Sequence, residues 1–333
     1  MENKPFKNPL HGINNTAEPA ITSSYASQIS KITFNAKPFF MSNIAIIGAT
    51  SFLAKSIIQQ LVSQEKHFIG FDQQSYSFPE KSFSSEFPLA DLLEMNVIYY
   101  CAGLGIQPKN KDPENLIYEL NAFEPIRLIS YLLNFGFKGK IVTFGSYFEY
   151  GDATNPTPFS EAQLVKNTNP KPNTYCHSKA LLTAFVQDQI NSRHDQLLHF
   201  ILPNIYGAGE NEHRLFPYIA KSVKNGKTMT FTAGTQLRQF VHVDDVTTLV
   251  TSQVLQNHSG IYQLGTNAQT VREAIEEALA GLTAVKENVR FEFTAMERKD
   301  TSMEYLVMDD SKARHTFGWN PKKKIGMEIL KYT

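Results

Sequence analysis

The stretch Asn43-Ile-Ala-Ile-Ile-Gly48-Ala-Thr-Ser51-Phe-Leu-Ala54 decides the fold. Its apolar run predicts a short buried strand at Ile44–Ile47, and the apolar spacing in Phe52–Ser63 predicts an amphipathic helix directly after it. A strand that passes through a glycine turn into a helix is typical of a sheet that binds a phosphate-bearing ligand. The free N–H groups and the dipole at the start of such a helix attract anions.

Strands and helices continue to alternate after this start. We predict further strands at His67–Phe71, Asn96–Cys101, Lys140–Phe144 and Leu197–Leu202, and helices at Asn115–Phe135 and Thr174–Ser192. This order predicts an α/β fold, a Rossmann-type doubly wound parallel sheet with helices on both faces. The alternation becomes less regular after about residue 205, which favours a smaller mixed C-terminal substrate lobe.

The composition of residues 1–40 differs from that of the rest of the chain. They are rich in Asn, Ser, Thr, Lys and Pro and keep no helical or strand period, so we expect a peripheral extension outside the folded unit. Residues 41–203 are assigned to a nucleotide-binding domain. Residues 204–333 are assigned mostly to the substrate lobe, interleaved with the sheet.

Charge and composition narrow the class of protein. The 333 residues carry 32 Lys+Arg and 32 Asp+Glu, and this balance argues against a nucleic-acid partner. No apolar run reaches the roughly 18 residues that span a bilayer, so no membrane partner is expected. Cys101 and Cys176 form no CxxC pair, which favours a reducing, cytoplasmic location. We expect an enzyme or a binder of small molecules without a metal site.

The turn after the first strand is a degenerate phosphate-binding turn. Gly48 stands where the first glycine is needed, whereas Ser51 and Ala54 fill the places of the other two. Asp72 follows Gly48 by 24 residues, at the end of the second predicted strand. A carboxylate there accepts hydrogen bonds from both ribose hydroxyls and repels a 2′-phosphate, which favours NAD slightly over NADP. Lys55 leaves NADP open.

The candidate catalytic residues are Ser146, Tyr175 and Lys179. Tyr175 and Lys179 are four residues apart and share one face of the predicted helix. An ammonium near the phenol is expected to lower its pKa, so that Tyr175 exchanges a proton with a sugar hydroxyl while a hydride moves. Ser146, at the carboxyl end of a predicted strand, faces the ligand crevice and is placed to bond the same oxygen.

These motifs together resemble the extended short-chain dehydrogenase/reductase family, the NAD-dependent epimerases, dehydratases and reductases of nucleotide sugars. The resemblance extends from about Asn43 to Lys323. It rests on the following segments: Gly48-Ala-Thr, Tyr100-Cys-Ala-Gly103, Asn121, Ser146-Tyr-Phe-Glu-Tyr150-Gly151, Tyr175 with Lys179, Asn204-Ile-Tyr-Gly207, Arg238-Gln-Phe-Val-His-Val-Asp-Asp-Val246, Arg298-Lys-Asp300 and Gly318-Trp-Asn-Pro321. Ile201 and Gln263 depart from the family pattern, which usually has Arg and Asn there.

The resemblance implies a dinucleotide, a nucleoside-diphosphate sugar and a homodimer formed through the helices that carry Asn121 and Tyr175. The residues expected at the cofactor are Gly48, Ser51, Phe52, Leu53, Asp72, Ala102, Asn121, Tyr175 and Lys179. Those expected at the substrate are Ser146, Asn204, Phe231, Arg238 and Arg298, with Phe231 against the nucleobase and the two arginines on the diphosphate.

The residues after Ser146 separate the reactions within the family. Dehydratases need an Asp-Glu pair there, but this chain has Tyr147 and Phe148, and Glu149 is one position late and expected to point elsewhere. We therefore expect a reductase of an NDP-4-keto-6-deoxy sugar, as in bacterial deoxyhexose and O-antigen synthesis. A 4-epimerase that uses the same three residues is the alternative, and a non-catalytic dinucleotide-binding protein is a remote one.

Overall fold

The computed structural model describes residues 43–71, 89–106, 112–153, 155–283, 289–294 and 303–332. The expected extension over 1–40 and the expected ligand contacts of Asp72 and Arg298 lie outside these residues. The strands in chain order are β1 (Ile44–Ile47), β2 (Ile69–Phe71), β3 (Val97–Tyr100), β4 (Lys140–Ser146), β5 (Leu197–Leu202), β6 (Asn204–Tyr206), β7 (Met229–Phe231), β8 (Leu237–Arg238), β9 (Phe240–His242), β10 (Gly260–Gln263), β11 (Gln269–Thr270) and β12 (Phe291–Phe293).

Helices connect most of these strands. The α-helices are α1 (Phe52–Ser63), α2 (Leu89–Leu93), α3 (Glu114–Tyr118), α4 (Glu124–Asn134), α5 (Glu161–Lys166), α6 (Thr174–Asn191), α7 (Leu215–Lys224), α8 (Val243–Val250), α9 (Val271–Thr283), α10 (Ser311–Phe317) and α11 (Ile325–Glu328). A π-helical segment, Glu119–Phe123, joins α3 to α4, and a 3-10 turn, Tyr147–Tyr150, follows β4. None of the helices in the described part of the chain has the length and apolarity to cross a membrane.

The central sheet has six parallel strands in the spatial order β10-β5-β4-β3-β1-β2. This confirms the predicted fold class. The predicted helix Phe52–Ser63 and strand Leu197–Leu202 match the structure residue for residue. The sixth strand, β10, comes from the C-terminal half of the chain. Residues beyond 203 therefore contribute to the central sheet as well as to a smaller lobe.

Apolar side chains cover both faces of the sheet, which explains why the strands read as continuous apolar runs. On one face, Leu128 and Leu132 of α4 pack with Leu182 and Val186 of α6. On the other face, the core contains Leu53, Ile57 and Leu61 of α1 and Val246 and Leu249 of α8. Helix α6 is thereby fixed along the sheet, and its first turns lie beside the end of β4.

The smaller lobe has its own apolar cluster. Strand pairs β7 with β12 and β8 with β11 contribute to this lobe, together with α7 and α9. Phe216 of α7, Phe231 of β7 and Ile275 of α9 are buried in the cluster. Strand β6, which follows β5 after one residue, pairs with β9. The chain therefore passes from the central sheet into the lobe directly beside the carboxyl ends of the sheet strands.

Candidate active site

The turn between β1 and α1 packs against the ends of two strands, β2 and β3. The N–H groups of Gly48 and Ala49 both donate to the carbonyl of Phe71, over 2.8 and 2.9 Å. Gly48 has a φ of 78°, and a Cβ on it would lie 2.5 Å from the backbone nitrogen of Ala102. Only glycine fits at this close approach. Ser51 caps α1, because its side chain accepts a hydrogen bond from the N–H of Ala54.

A first cleft begins at α1 and ends at the carboxyl ends of β4 and β5. We call it the reaction cleft. Its lining includes Leu53, Ala102, Gly103, Leu104, Ser146, Phe148, Tyr175, Lys179, Asn204 and Arg214. The cleft has a volume of about 150 Å³. Four of the residues expected at the cofactor therefore border the same space as Ser146. This arrangement fits a dinucleotide that extends from the start of α1 to Lys179.

Asn121 fixes the loop after β3 that forms one wall of the reaction cleft. Its Nδ2 donates to the carbonyl of Leu104 over 2.9 Å, and its Oδ1 accepts from the N–H of Leu104 over 3.0 Å. Nδ2 also donates to Oγ of Ser178, and Ser178 donates to the carbonyl of Tyr175. Asn121 lies in the π-helical segment, which interrupts the single helix predicted over Asn115–Phe135. Such segments often mark functional sites.

Burial sets the protonation of Tyr175. Burial raises the pKa of Tyr175 to about 12, and a hydrogen bond with Ser146 lowers that pKa only in part. The sequence-based expectation was a pKa lowered by the neighbouring ammonium. Lys179 Nζ lies 6.0 Å from the centre of the Tyr175 ring and donates instead to the carbonyl of Phe144 over 2.9 Å. In the protein alone, Tyr175 is therefore a protonated phenol at neutral pH.

The pKa of the Lys179 ammonium is lower than that of an ordinary lysine. Burial lowers its pKa to about 8, and the charge of Glu149 opposes that fall. Its Nζ also lies 3.8 Å from where a Cβ on Gly103 would stand, so the ammonium reaches the loop fixed by Asn121. Lys179 consequently links the end of β4 to the wall of the cleft. No group of three or more His, Cys, Asp or Glu side chains that could hold a metal ion is found within the described residues.

A second cleft adjoins the first on the side of the smaller lobe. We call it the lobe cleft. Its lining includes Asn204, Arg214, Phe216, Arg238 and Val271. Arg238, expected at the substrate, is 6% exposed and donates from Nη1 to the carbonyls of Leu237 and Glu304. Asn204, which is also expected at the substrate, borders both clefts.

Phe231 is placed differently from the expectation. Its ring packs against Phe293, with centres 5.6 Å apart, and against Tyr218. It is 9% exposed and belongs to the core of the smaller lobe, and it is not among the described residues that line the two clefts. The alternation of β7 directs this ring inward, so the structure gives it a packing role. A contact between Phe231 and a base stays a prediction.

Arg214 is a site residue that the sequence reasoning missed. It borders both clefts, its Nε pairs with Oε2 of Glu210 over 2.9 Å, and Glu210 also accepts from the hydroxyl of Tyr332. Arg214 directly precedes α7 and occupies the N-cap position without a capping hydrogen bond from its side chain. A cation beside a helix N-terminus is unfavourable unless an anion accompanies it. Glu210 is such an anion, so the position of Arg214 before α7 is not a sequence signal for a bound ligand.

Comparisons with known proteins agree with this fold. Residues 44–265 match the model of the NAD dependent epimerase/dehydratase family. CDP-abequose synthase of Salmonella typhimurium is 30% identical over 139 residues, which are 39% of this chain and 46% of that enzyme, so the match covers less than half of the relative. UDP-glucose 4-epimerase of Mycolicibacterium smegmatis is 22% identical over 309 residues, 86% of this chain and 96% of that enzyme.

The solved structures agree with the fold. UDP-glucose-4-epimerase from Stenotrophomonas maltophila, with bound NAD and formylated UDP-arabinopyranose, superposes with a TM-score of 0.71 at 17% identity. The match covers 87% of this chain and 96% of that one. An identity this low supports the architecture alone.

We expect Asn121→Ala to destabilise the protein by about 1–3 kcal/mol, because it removes the buried hydrogen bond to Ser178 and the part-buried ones to Leu104. Urea unfolding followed by circular dichroism measures the change. Asn134→Ala, at an exposed position at the end of α4, is the matched control and should change stability by less than about 0.5 kcal/mol. Equal stability of the two variants would contradict the role given to Asn121.

With residues 44–265 matched, which is well over half of its length, the chain belongs to the NAD dependent epimerase/dehydratase family.

Proposed function

We propose that the chain is an NAD(P)H-dependent reductase of a nucleoside-diphosphate 4-keto-6-deoxy sugar. A hydride is added to C4, a proton is added to the O4 oxygen, and the ketone becomes an alcohol. The reduced nicotinamide supplies the hydride when it is bound, and Tyr175 supplies the proton. Lys179 and Ser146 hold the reacting groups, and NAD is favoured over NADP by the sequence position of Asp72 alone.

The observation that carries this proposal is a protonated phenol beside a serine in a cleft that lacks the dehydratase carboxylates. The two positions after Ser146 hold Tyr147, which is fully buried, and Phe148, which lines the reaction cleft. Elimination of water from a sugar needs an acid and a base at these positions, and neither side chain supplies them. A phenol whose pKa is about 12 is protonated at neutral pH and so holds the proton that a reduction requires, and its release depends on stabilisation of the phenolate.

The substrate oxygen is expected between the hydroxyls of Ser146 and Tyr175. Ser146 is 5% exposed, stands at the end of β4 and accepts a weak 3.4 Å hydrogen bond from the N–H of Phe148. The hydrogen bond between Ser146 and Tyr175 places the two hydroxyls side by side at the reaction cleft. As Tyr175 loses its proton, the ammonium of Lys179 stabilises the phenolate that remains.

The nucleoside diphosphate is expected in the lobe cleft, between Arg214 and Arg238. The two guanidiniums come from different elements and border the same space. Forked recognition by arginine suits a diphosphate, which offers oxygens in pairs. A homodimer is part of this proposal, supported by the exposed side chains of Phe123 and Leu181 beside α4 and on α6, 43% and 41% exposed.

A 4-epimerase is the second candidate, favoured by the relative that matches along 86% of the chain. An epimerase passes the hydride to its cofactor and back, so it consumes no reduced cofactor. A reductase consumes one equivalent for each product molecule. The two functions are therefore separated by the fate of the cofactor.

The test of the function is loss of NADH or NADPH absorbance with a panel of NDP-4-keto-6-deoxy sugars.

We expect Tyr175→Phe to lower turnover by about two to four orders of magnitude, because the general acid is lost, with dinucleotide binding retained. Tyr218→Phe, at an exposed position outside both clefts, is the control and keeps full turnover. Unreduced keto sugars, together with interconversion of the C4 epimers of a 4-hydroxy nucleotide sugar without cofactor loss, would replace the reductase by the epimerase. No reaction with any sugar would leave a dinucleotide-binding protein.

We expect Arg214→Ala to raise the KM for the nucleotide sugar by about tenfold to a hundredfold, the usual effect of losing a hydrogen bond to a charged group. Dinucleotide affinity, measured by NADH fluorescence, stays as in the wild type. Arg272→Ala, on the exposed side of α9, is the matched control. An unchanged KM for Arg214→Ala would remove this residue from the diphosphate site.

A further inference from the structure

A chain of four buried polar side chains lies behind the reaction cleft. Glu149 comes from the 3-10 turn, Thr183 from α6, His199 from β5 and Thr143 from β4, and none is more than 2% exposed. The hydroxyl of Thr183 lies 2.8 and 3.0 Å from the two oxygens of Glu149 and 2.9 Å from Nε2 of His199. The hydroxyl of Thr143 lies 2.7 Å from Nδ1 of His199.

The hydrogen-bond inventory fixes the direction of this chain. Thr183 has one proton, which it donates to Glu149, so its oxygen accepts the N–H of His199 Nε2. Nδ1 of His199 then accepts from Thr143. Burial, assisted by the charge of Lys179, lowers the pKa of His199 to about 3, so the imidazole stays neutral. The negative charge of this chain therefore resides on Glu149.

The position of Lys179 connects the buried chain to the reaction cleft. Lys179 precedes Thr183 by one helical turn, so the two side chains share a face of α6. Its Nζ donates to the carbonyl of Phe144, and the next residue, Gly145, leaves the space that Glu149 and His199 occupy. A Cβ on Gly145 would stand 2.7 Å from Nε2 of His199 and 3.1 Å from Oε1 of Glu149.

We propose that Glu149 is a positioning residue whose buried carboxylate, held by Thr183, keeps Lys179 in its ammonium form at the reaction cleft. The role of Lys179 in turnover rests on the proposed function, but its protonation does not. Glu149 is not among the described residues that line either cleft, and its two oxygens are bonded to Thr183. Its effect on the reaction passes through Lys179.

The opposite charges of Glu149 and Lys179 decide the direction in which Glu149 changes the pKa of Lys179. Burial raises the pKa of Glu149 to about 7, while the Thr183 hydrogen bond and the charge of Lys179 lower it in part. Burial lowers the pKa of Lys179 to about 8, and Glu149 raises it. Without the carboxylate, burial acts on Lys179 unopposed, so its pKa must fall further and the ammonium is lost at a lower pH.

Other described titratable groups face Glu149 or Lys179, but they do not supply the negative charge that Glu149 supplies. Lys171 is a cation that interacts with Glu149 from the segment before α6, and Cys176 and Tyr175 face it from the first turns of that helix. Cys101, at the end of β3, faces Lys179, but burial raises its thiol pKa far above neutral. These thiols and the phenol are neutral at pH 7, and Lys171 has the same sign as Lys179. Glu149 is therefore the anion among the described groups that face this lysine.

The test is competitive labelling of Lys179 with acetic anhydride between pH 6 and 10, read by mass spectrometry of the proteolytic peptide. Only the neutral amine reacts, so the midpoint of labelling reports the protonation of Lys179 without substrate or cofactor. We expect a wild-type midpoint near pH 8, set by the lowered pKa. In Glu149→Gln the midpoint falls by about one pH unit.

Two further variants keep the test decisive. Thr183→Val removes the donor that keeps Glu149 ionised, so the midpoint falls here too if Glu149→Gln does not fold. Glu124→Gln is the matched control, because burial also raises the pKa of Glu124 to about 7, but it lies on α4 and does not face Lys179. A purely structural role for Glu149 predicts lower stability with an unmoved midpoint. Midpoints of folded Glu149→Gln or Thr183→Val equal to that of Glu124→Gln would overturn the proposal.

Discussion

The hydrogen bond from Lys179 Nζ to the carbonyl of Phe144 is the contact on which the candidate site depends. It joins the first turns of α6 to the end of β4 over 2.9 Å and so sets Tyr175, one turn earlier on the helix, beside Ser146, two residues further along the strand. The apolar packing of α6 against the sheet makes this bond possible, because it fixes the helix axis along β4. A lysine buried this way costs free energy unless its charge is compensated.

The surrounding polar contacts offset the free-energy cost of burying the Lys179 ammonium. Asn121 ties the loop after β3 to Ser178 of α6, and the glycine at position 103 brings that loop close to Lys179. Glu149 provides a negative charge from below the cleft. The result is a cleft with a cation and an un-ionised phenol in fixed positions, which is an arrangement that favours proton donation. The lobe cleft, with Arg214 and Arg238, adds positive charge where an anionic substrate is expected.

Much of the fold could be predicted from the chain because local signals agree with the sheet order. Apolar runs of four to six residues became β1 and β5, and the period in Phe52–Ser63 became α1 without change of bounds. The interruption at Asn121 was not predicted, because a single π-helical turn, with its i→i+5 bonds, shifts the apolar pattern by only about one residue. The positions of Ser146, Tyr175 and Lys179 in one cleft followed from strand ends and helix spacing. Residues brought together by tertiary contacts did not, and Glu149 with His199 is the plainest case: they are distant in sequence and lie on different elements. For Phe231 the contact with a base stays a prediction, since an aromatic residue on a strand is as suited to a core as to a base.

In the proposed reaction, C4 of the sugar receives a hydride from a reduced nicotinamide, and O4 receives a proton from Tyr175. The most direct measurement uses NADH or NADPH carrying deuterium at the transferring C4 position, an NDP-4-keto-6-deoxy sugar, and mass and NMR analysis of the product. The proposed reductase is predicted to leave one deuterium at sugar C4 for each molecule of cofactor oxidised. A keto sugar that stays unreduced, with interconversion of the C4 epimers of a 4-hydroxy nucleotide sugar and no net oxidation of the cofactor, would contradict it.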